Sequence, residues 1–137
     1  MKKGLFLSIL GLTTLLFAAS CNKSDTTTST NSSSPEGRWS GTVQYGTTGG
    51  TPTYPFSLTF KSNGTVDVTG YNGAAADNGT GTWQLVQDSV KVTYSYAGSS
   101  AVYASSSKYS SGSNVMTGTF GLSPVTSGQG VFSVTKQ

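Results

Sequence analysis

From Trp39 onward the chain alternates apolar and polar residues with a period of two, the spacing of strands that bury one face. Trp39, Gly41, Val43 and Tyr45 share one face of a first strand; Phe56, Leu58 and Phe60 share one face of a second, with Ser57, Thr59 and Lys61 opposite. Ser62-Asn63-Gly64 then supplies an Asn-Gly turn, expected to be a tight hairpin in which both central residues take positive φ. Val66 and Val68 continue in a third strand. A polar loop, Asn72 to Asn78, leads to a fourth strand carrying Gly81, Trp83 and Leu85, and Gln87-Asp88-Ser89 turns into a fifth with Val90, Val92, Tyr94 and Tyr96. Serine dilutes both faces of a sixth, from Ala101 to Tyr109. A seventh holds Met116, Gly118 and Phe120, and an eighth Phe132 and Val134. No stretch after Pro35 repeats with helical spacing, so the pattern predicts an all-β domain. Short turns between consecutive strands favour a small antiparallel up-and-down β-barrel of about eight strands, because closing a meander removes its exposed edges.

After Pro35 a glycine precedes an aromatic residue by two positions four times: Gly37 and Trp39, Gly81 and Trp83, Gly118 and Phe120, Gly130 and Phe132. Residues two apart in a strand face the same side, so each glycine leaves room for a ring to lean or for the strand to coil. Gly37-Arg38-Trp39 at the start of the first strand resembles the glycine-x-tryptophan that opens lipocalin-type barrels. That resemblance implies structural roles for Gly37 and Trp39, with the tryptophan closing the barrel floor. The sequence has no late arginine of the kind that packs over the tryptophan in that superfamily, and no sign of its C-terminal helix.

Ahead of the alternating region the pattern changes twice. Lys2 and Lys3 precede an apolar run from Leu5 to Phe17, and Ala18-Ala19-Ser20 leads into Cys21. A basic start, a short apolar core and small residues before a cut are the marks of a secretory signal. The run is too short for a membrane span, which needs roughly twenty residues. Cys21 is the sole cysteine and stands directly after the small-residue box, so the stretch resembles a lipoprotein signal whose cysteine is acylated, with a loose box like those of Bacteroidota lipoproteins. An ordinary secretory signal would instead leave a lone free thiol in an oxidising compartment. Asn22 follows the cysteine where an aspartate would favour inner-membrane retention, so outer-membrane anchoring in the cell envelope is expected. Residues 22–34 read NKSDTTTSTNSSS, with no apolar side chain to bury. Such a tether spans roughly 20 Å on average. The expected organisation is a signal over residues 1–20, a lipidated N-terminus and tether over 21–34, and a folded domain over 35–137.

Composition then narrows the chemistry. Removing Lys2 and Lys3 from eight basic residues leaves six against five acidic ones, and those of the domain are scattered singly, which argues against a nucleic-acid face. The chain has no histidine, so with Cys21 acylated the usual nucleophile–base pairs and nitrogen or sulfur metal sites are missing. Nothing in the sequence pairs any two of Glu36, Asp67, Asp77 and Asp88, and Asp77-Asn78-Gly79 alone has too few oxygens for calcium. No catalytic residue, metal or cofactor is expected. The expected partners are the membrane, through Cys21, and a small apolar or amphipathic ligand or a protein held without catalysis; the alternative is a filled barrel serving as a structural or surface-interaction module. Candidate ligand-lining residues are Trp83, Tyr94, Tyr96, Tyr103 and Phe120, with Gly41, Gly70, Gly81 and Gly118 leaving space at one end. Tyrosine among serine and glycine offers flat faces with hydroxyl tips.

Overall fold

The computed structural model describes residues 34–46, 52–71 and 74–137. The signal, Cys21 and residues 22–33 of the tether lie outside these described residues. The domain is all-β: β1 (Gly37–Tyr45), β2 (Thr53–Phe60), β3 (Thr65–Gly70), β4 (Asn78–Val86), β5 (Ser89–Tyr96), β6 (Tyr103–Lys108), β7 (Val115–Leu122) and β8 (Gly130–Lys136), with one 3₁₀ turn at Ala75–Asp77. Each strand pairs antiparallel with the next. β1 also pairs with β8, from Trp39 opposite Lys136 to Tyr45 opposite Gly130, which closes the barrel.

Inward positions carry the apolar set. Trp39, Leu58, Val66, Val68, Val90, Met116 and Val134 are buried, as are Phe56, Phe60, Phe120 and Phe132. Outward positions carry hydroxyls and amides, among them Ser40, Thr42, Gln44, Thr80, Thr82, Thr93, Thr117 and Ser133. An apolar inside and a hydroxylated outside is the reverse of a membrane-spanning barrel, whose outer band is apolar. The wall is built to face water.

Across the ladders, glycines stand opposite rings or other large side chains. Gly41 pairs with Phe56 and Val134, Phe56 with Gly70, Gly79 with Tyr96, Gly81 with Tyr94, Gly118 with Phe132, and Gly130 with Phe120. The expectation that Gly41, Gly70, Gly81 and Gly118 leave open space is corrected here. A Cβ on Gly118 would lie 2.6 Å from Phe132 Cζ, and one on Gly70 would lie 2.9 Å from the Tyr96 hydroxyl. Rings occupy the room at Gly70 and Gly118, and the backbone of the facing strand does so at Gly41 and Gly81.

Three local expectations also differ. The loop after β2 is four residues long, with Gly64 N–H donating to Lys61 O at 3.1 Å and Gly64 at φ 79°, whereas Asn63 is not among the residues with positive φ. This is a type I turn closed by a left-handed glycine, as in bulged hairpins. The Asn63 side chain accepts from Thr65 N–H at 3.1 Å and from Thr65 Oγ1 at 2.7 Å, which is the reason asparagine suits the position. Asn78, expected in a loop, opens β4 and pairs with Thr69. β6 is confined to Tyr103–Lys108, and its diluted pattern has a physical cause. Ser105 and Ser107 face inward, opposite Phe120 and Gly118, where small side chains admit the ring and the Met116 thioether; Ser107 Oγ donates to Met116 Sδ at 3.5 Å.

At one end, the floor, residues 34–36 cross the barrel. The fully buried Trp39 donates from Nε1 to Pro35 O at 2.7 Å, and Tyr109 donates from its hydroxyl to Ser34 O at 3.0 Å. The Tyr109 ring meets Trp39 edge-on at 6.3 Å. Lys136 Nζ lies 5.6 Å from the Trp39 ring centre, so a lysine supplies the cation over the tryptophan that no late arginine provides.

Candidate functional site

Odd-numbered strands end, and even-numbered strands begin, at the end opposite the floor. That alternation gathers Tyr45 at the close of β1, Tyr54 near the start of β2, Tyr71 just after β3, Tyr94 and Tyr96 near the close of β5, and Tyr103 at the start of β6. Six of the seven tyrosines therefore meet at this mouth. They form two sets of touching rings, linked through hydrogen bonding between Tyr45 and Tyr96. Tyr45 contacts Tyr54 at 6.0 Å and Phe120 at 5.4 Å, Tyr54 contacts Tyr71 at 4.6 Å, and Tyr94, Tyr96 and Tyr103 lie 5.5–5.8 Å from one another. Separations of this size, edge-on or offset, each add about 0.5–1.5 kcal/mol beyond area burial.

Exposure grades outward through the set. Tyr94 is 4 % exposed, Tyr54, Tyr96 and Tyr103 are half-buried, and Tyr45 and Tyr71 are 39 % and 45 % exposed. Burial pushes the Tyr94 and Tyr96 phenols well above the ordinary value of 10.0, helped by the neighbouring phenols. Tyr45 is raised for the same first reason, with smaller contributions from Tyr103 and Asp77. Hydrogen bonding links Tyr96 with both Tyr94 and Tyr45. The mouth presents a hydroxyl-tipped aromatic surface.

Of the five candidate lining residues, the structure brings together Tyr94, Tyr96, Tyr103 and Phe120. It sets Trp83 apart: that ring contacts Phe60 at 5.4 Å, and its Nε1 donates to Lys61 O at 2.9 Å in the β2–β3 turn, at the floor. Leu85, expected inside, is 37 % exposed. Tyr45, Tyr54 and Tyr71 were not among the candidates, and nothing local in the sequence marks them. Only the alternating strand direction does.

Below the mouth the described core side chains, from Tyr94 and Phe120 down to Trp39 and Met116, form one packed cluster. Two grooves of about 500 Å³ lie on the outer wall, one over Thr42, Gln44, Thr117, Thr119 and Ser133, the other over Arg38, Ser40, Pro55, Ser57 and Thr69. Neither is lined by any of the five candidate residues, and the second reaches Tyr71 at the edge of the mouth. Trp83 borders a smaller concavity of about 250 Å³ with Thr82 and Lys91.

The carboxylates are each accounted for separately. Asp67 pairs with Lys61 at 2.8 Å, Asp88 lies 3.9 Å from Lys108, and Glu36 accepts from the Ser34 hydroxyl at 3.1 Å. Asp77 stands alone at the mouth end, in the 3₁₀ turn before β4. Among the described residues no three of His, Cys, Asp and Glu are grouped as metal ligands would be.

Fold and site together define a closed, eight-stranded antiparallel barrel with an apolar core and an aromatic mouth. The chain matches no known family, no curated protein and no solved structure.

Proposed function

We propose that this chain is a lipid-anchored lipoprotein of the bacterial cell envelope, held to the outer membrane through acylated Cys21, whose barrel recognises a small ligand or a partner without catalysis. The observation that carries the reading is the opposition of the two ends. The chain enters the barrel across the floor, through Ser34 and Pro35, while the connected tyrosines lie at the far end. A barrel tethered by its floor holds its mouth away from the membrane. The glycine-x-tryptophan at Gly37 and Trp39, with Trp39 buried at the floor under Lys136, supports kinship with small lipocalin-like lipoproteins.

The packed interior moves the binding surface from the barrel lumen to its rim. Trp39, Met116, Val66 and Val90, all at 0 % exposure, pack the floor half of the interior. The same packing supports the second reading, a structural or surface-interaction module with no ligand.

Mass spectrometry of the membrane fraction is expected to find Cys21 as a lipid-modified N-terminus, and Cys21→Ser is expected to release the protein from membranes. A mature form carrying an unmodified thiol would end the anchoring claim. Native mass spectrometry of protein from its own host separates the two recognition readings. A co-purified small molecule lost on Tyr45→Leu supports binding at the mouth, and an empty barrel favours the structural module.

A further inference from the structure

We propose that the tyrosine mouth takes an organic cation of the quaternary-ammonium class. This rests on the reading of the mouth as the recognition end and names the chemistry it selects. Three observations converge. The first is the ring geometry. Tyr45, Tyr54 and Tyr71 form a continuous run of faces and edges at 6.0 and 4.6 Å, partly exposed, with Tyr103 on the opposite wall. An aromatic face carries negative charge density and attracts a cation within about 6 Å, which is why clustered rings recognise methylated ammonium groups.

The second is the division of charge between the two ends. The described basic residues Arg38, Lys61, Lys91, Lys108 and Lys136 stand at floor-half positions of their strands or just beyond them, and Arg38 alone borders a groove that also reaches a mouth tyrosine, Tyr71, on the outer wall. Between Tyr45 and Thr53, Gly70 and Asn78, Tyr96 and Tyr103, and Leu122 and Gly130 the sequence contains no lysine or arginine. Among the described residues, the one carboxylate of the mouth is Asp77, half-buried two positions before Gly79, which pairs with Tyr96. The Asp77 charge is felt at Tyr45. The mouth is thus weakly negative and holds no ammonium of its own, whereas the floor ring, Trp39, already has one in Lys136 at 5.6 Å.

The third is the poor fit of other ligand classes. An anion would meet ring faces and the Asp77 carboxylate at the mouth, with Arg38 bordering only the outer groove beside Tyr71. A long apolar chain would need the lumen, which side chains fill. A trimethylammonium head needs only a shallow aromatic seat, because its charge is spread over methyl groups and forms no hydrogen bonds that must be replaced.

The test uses the chain from residue 21 onward, carrying Cys21→Ser, titrated by NMR with choline and with its uncharged carbon isostere, dimethylbutanol. Choline is expected to shift Tyr45, Tyr54, Tyr71 and Tyr103 resonances saturably, with the isostere weaker by about tenfold. Asp77→Asn, a near-isosteric change, should weaken choline several-fold. Tyr45→Leu should weaken it by about tenfold, and Lys108→Gln at the floor should leave it unchanged. Equal binding of choline and isostere, or binding of the isostere alone, overturns the cation while leaving the mouth as a recognition surface. No response to either probe, or choline shifts confined to the floor around Trp39, overturns the cation and removes support for mouth recognition as well. Undiminished choline affinity in Asp77→Asn and Tyr45→Leu would also overturn it.

Discussion

Gly81→Ala and Gly70→Ala are the same chemical change at two inward strand positions, and their costs should differ by several-fold. At Gly81 the added methyl would overlap Thr93 O and lie 2.7 Å from Tyr94 Cα and 2.8 Å from Tyr94 Cβ. Carbon pairs rest at about 3.5–4.0 Å, so relief requires β4 and β5 to part by roughly 1 Å around the Gly81–Tyr94 pair. Overpacking of this kind costs about 1–3 kcal/mol. Loss or stretching of the neighbouring ladder bond adds about 1 kcal/mol. The smaller entropy of the unfolded alanine chain returns about 0.4–1 kcal/mol, leaving a net loss of roughly 2–3 kcal/mol. At Gly70 the methyl would meet the Tyr96 hydroxyl at 2.9 Å and Tyr96 ring carbons at 3.4 Å. That is the far end of a half-buried side chain, free to give by a few tenths of an ångström. Neither glycine has a left-handed φ, so backbone strain does not enter. The gain of about 0.4–1 kcal/mol then offsets most of the contact cost at Gly70. In urea unfolding, with a slope of about 1–3 kcal/mol per molar, Gly81→Ala should lower the midpoint by roughly 1–2 M and Gly70→Ala should barely move it. Equal midpoints for the two variants would refute the argument that backbone, rather than a movable ring, is what Gly81 protects.

Trp39→Phe should lose roughly 2–3 kcal/mol by thermal unfolding, because it leaves Pro35 O without its 2.7 Å donor and opens space under Lys136. A loss below about 0.5 kcal/mol would show that the floor bond contributes little. The phenols give a pH prediction with a definite sign. Tyr94 and Tyr96 are raised in the folded state, so the unfolded chain releases their protons first, at the ordinary 10.0. Stability is therefore full below pH 10 and falls as pH rises above it, and phenolate absorbance from these two should appear only with unfolding. Absorbance that titrates smoothly at the ordinary value for every tyrosine, with the barrel still folded, would contradict this. Lys61→Ala removes a half-exposed ion pair with Asp67 at 2.8 Å and should cost under about 1 kcal/mol, with most of the difference gone at high salt. A larger, salt-insensitive loss would mean that the lysine stem packs on the barrel.

How much of this was legible in the sequence depends on how far each signal reaches along the chain. β1, β2, β3 and β5 were readable because their buried faces are large and apolar while their outer faces are hydroxylated, so alternation names both sides at once. β6 was not, because the interior there needs small residues: Ser105 and Ser107 stand opposite Phe120 and Gly118. A serine that makes room inside looks the same in sequence as a serine that meets water. The turn at Asn63 was located correctly but given the wrong geometry, since its four-residue length places the left-handed residue at Gly64 alone. The tyrosine mouth was half legible. Tyr94, Tyr96 and Tyr103 are near one another in sequence, but Tyr45, Tyr54 and Tyr71 join them only through barrel closure, a long-range property that two-residue alternation does not encode. Trp83 shows the reverse error, a ring close to Tyr94 in the ladder yet turned to the β2–β3 turn by its bond to Lys61 O.

The even number of strands in the closed ring has a consequence for engineering. Each strand carries the chain from one end of the barrel to the other, so eight crossings return it to the end from which it started, and Gln137 N–H donates to Arg38 O at 2.9 Å, close to where residues 34–36 enter the barrel. Entry and exit are next-door neighbours. A reporter or affinity tag joined after Gln137 would emerge beside the tether and leave the tyrosine rim unobstructed. A short linker from Gln137 back to Ser34, with new ends cut at a mouth loop, would invert the molecule and point the rim toward whatever surface holds it. Such a permutant offers a direct way to learn whether orientation, rather than the surface alone, is what the tether provides.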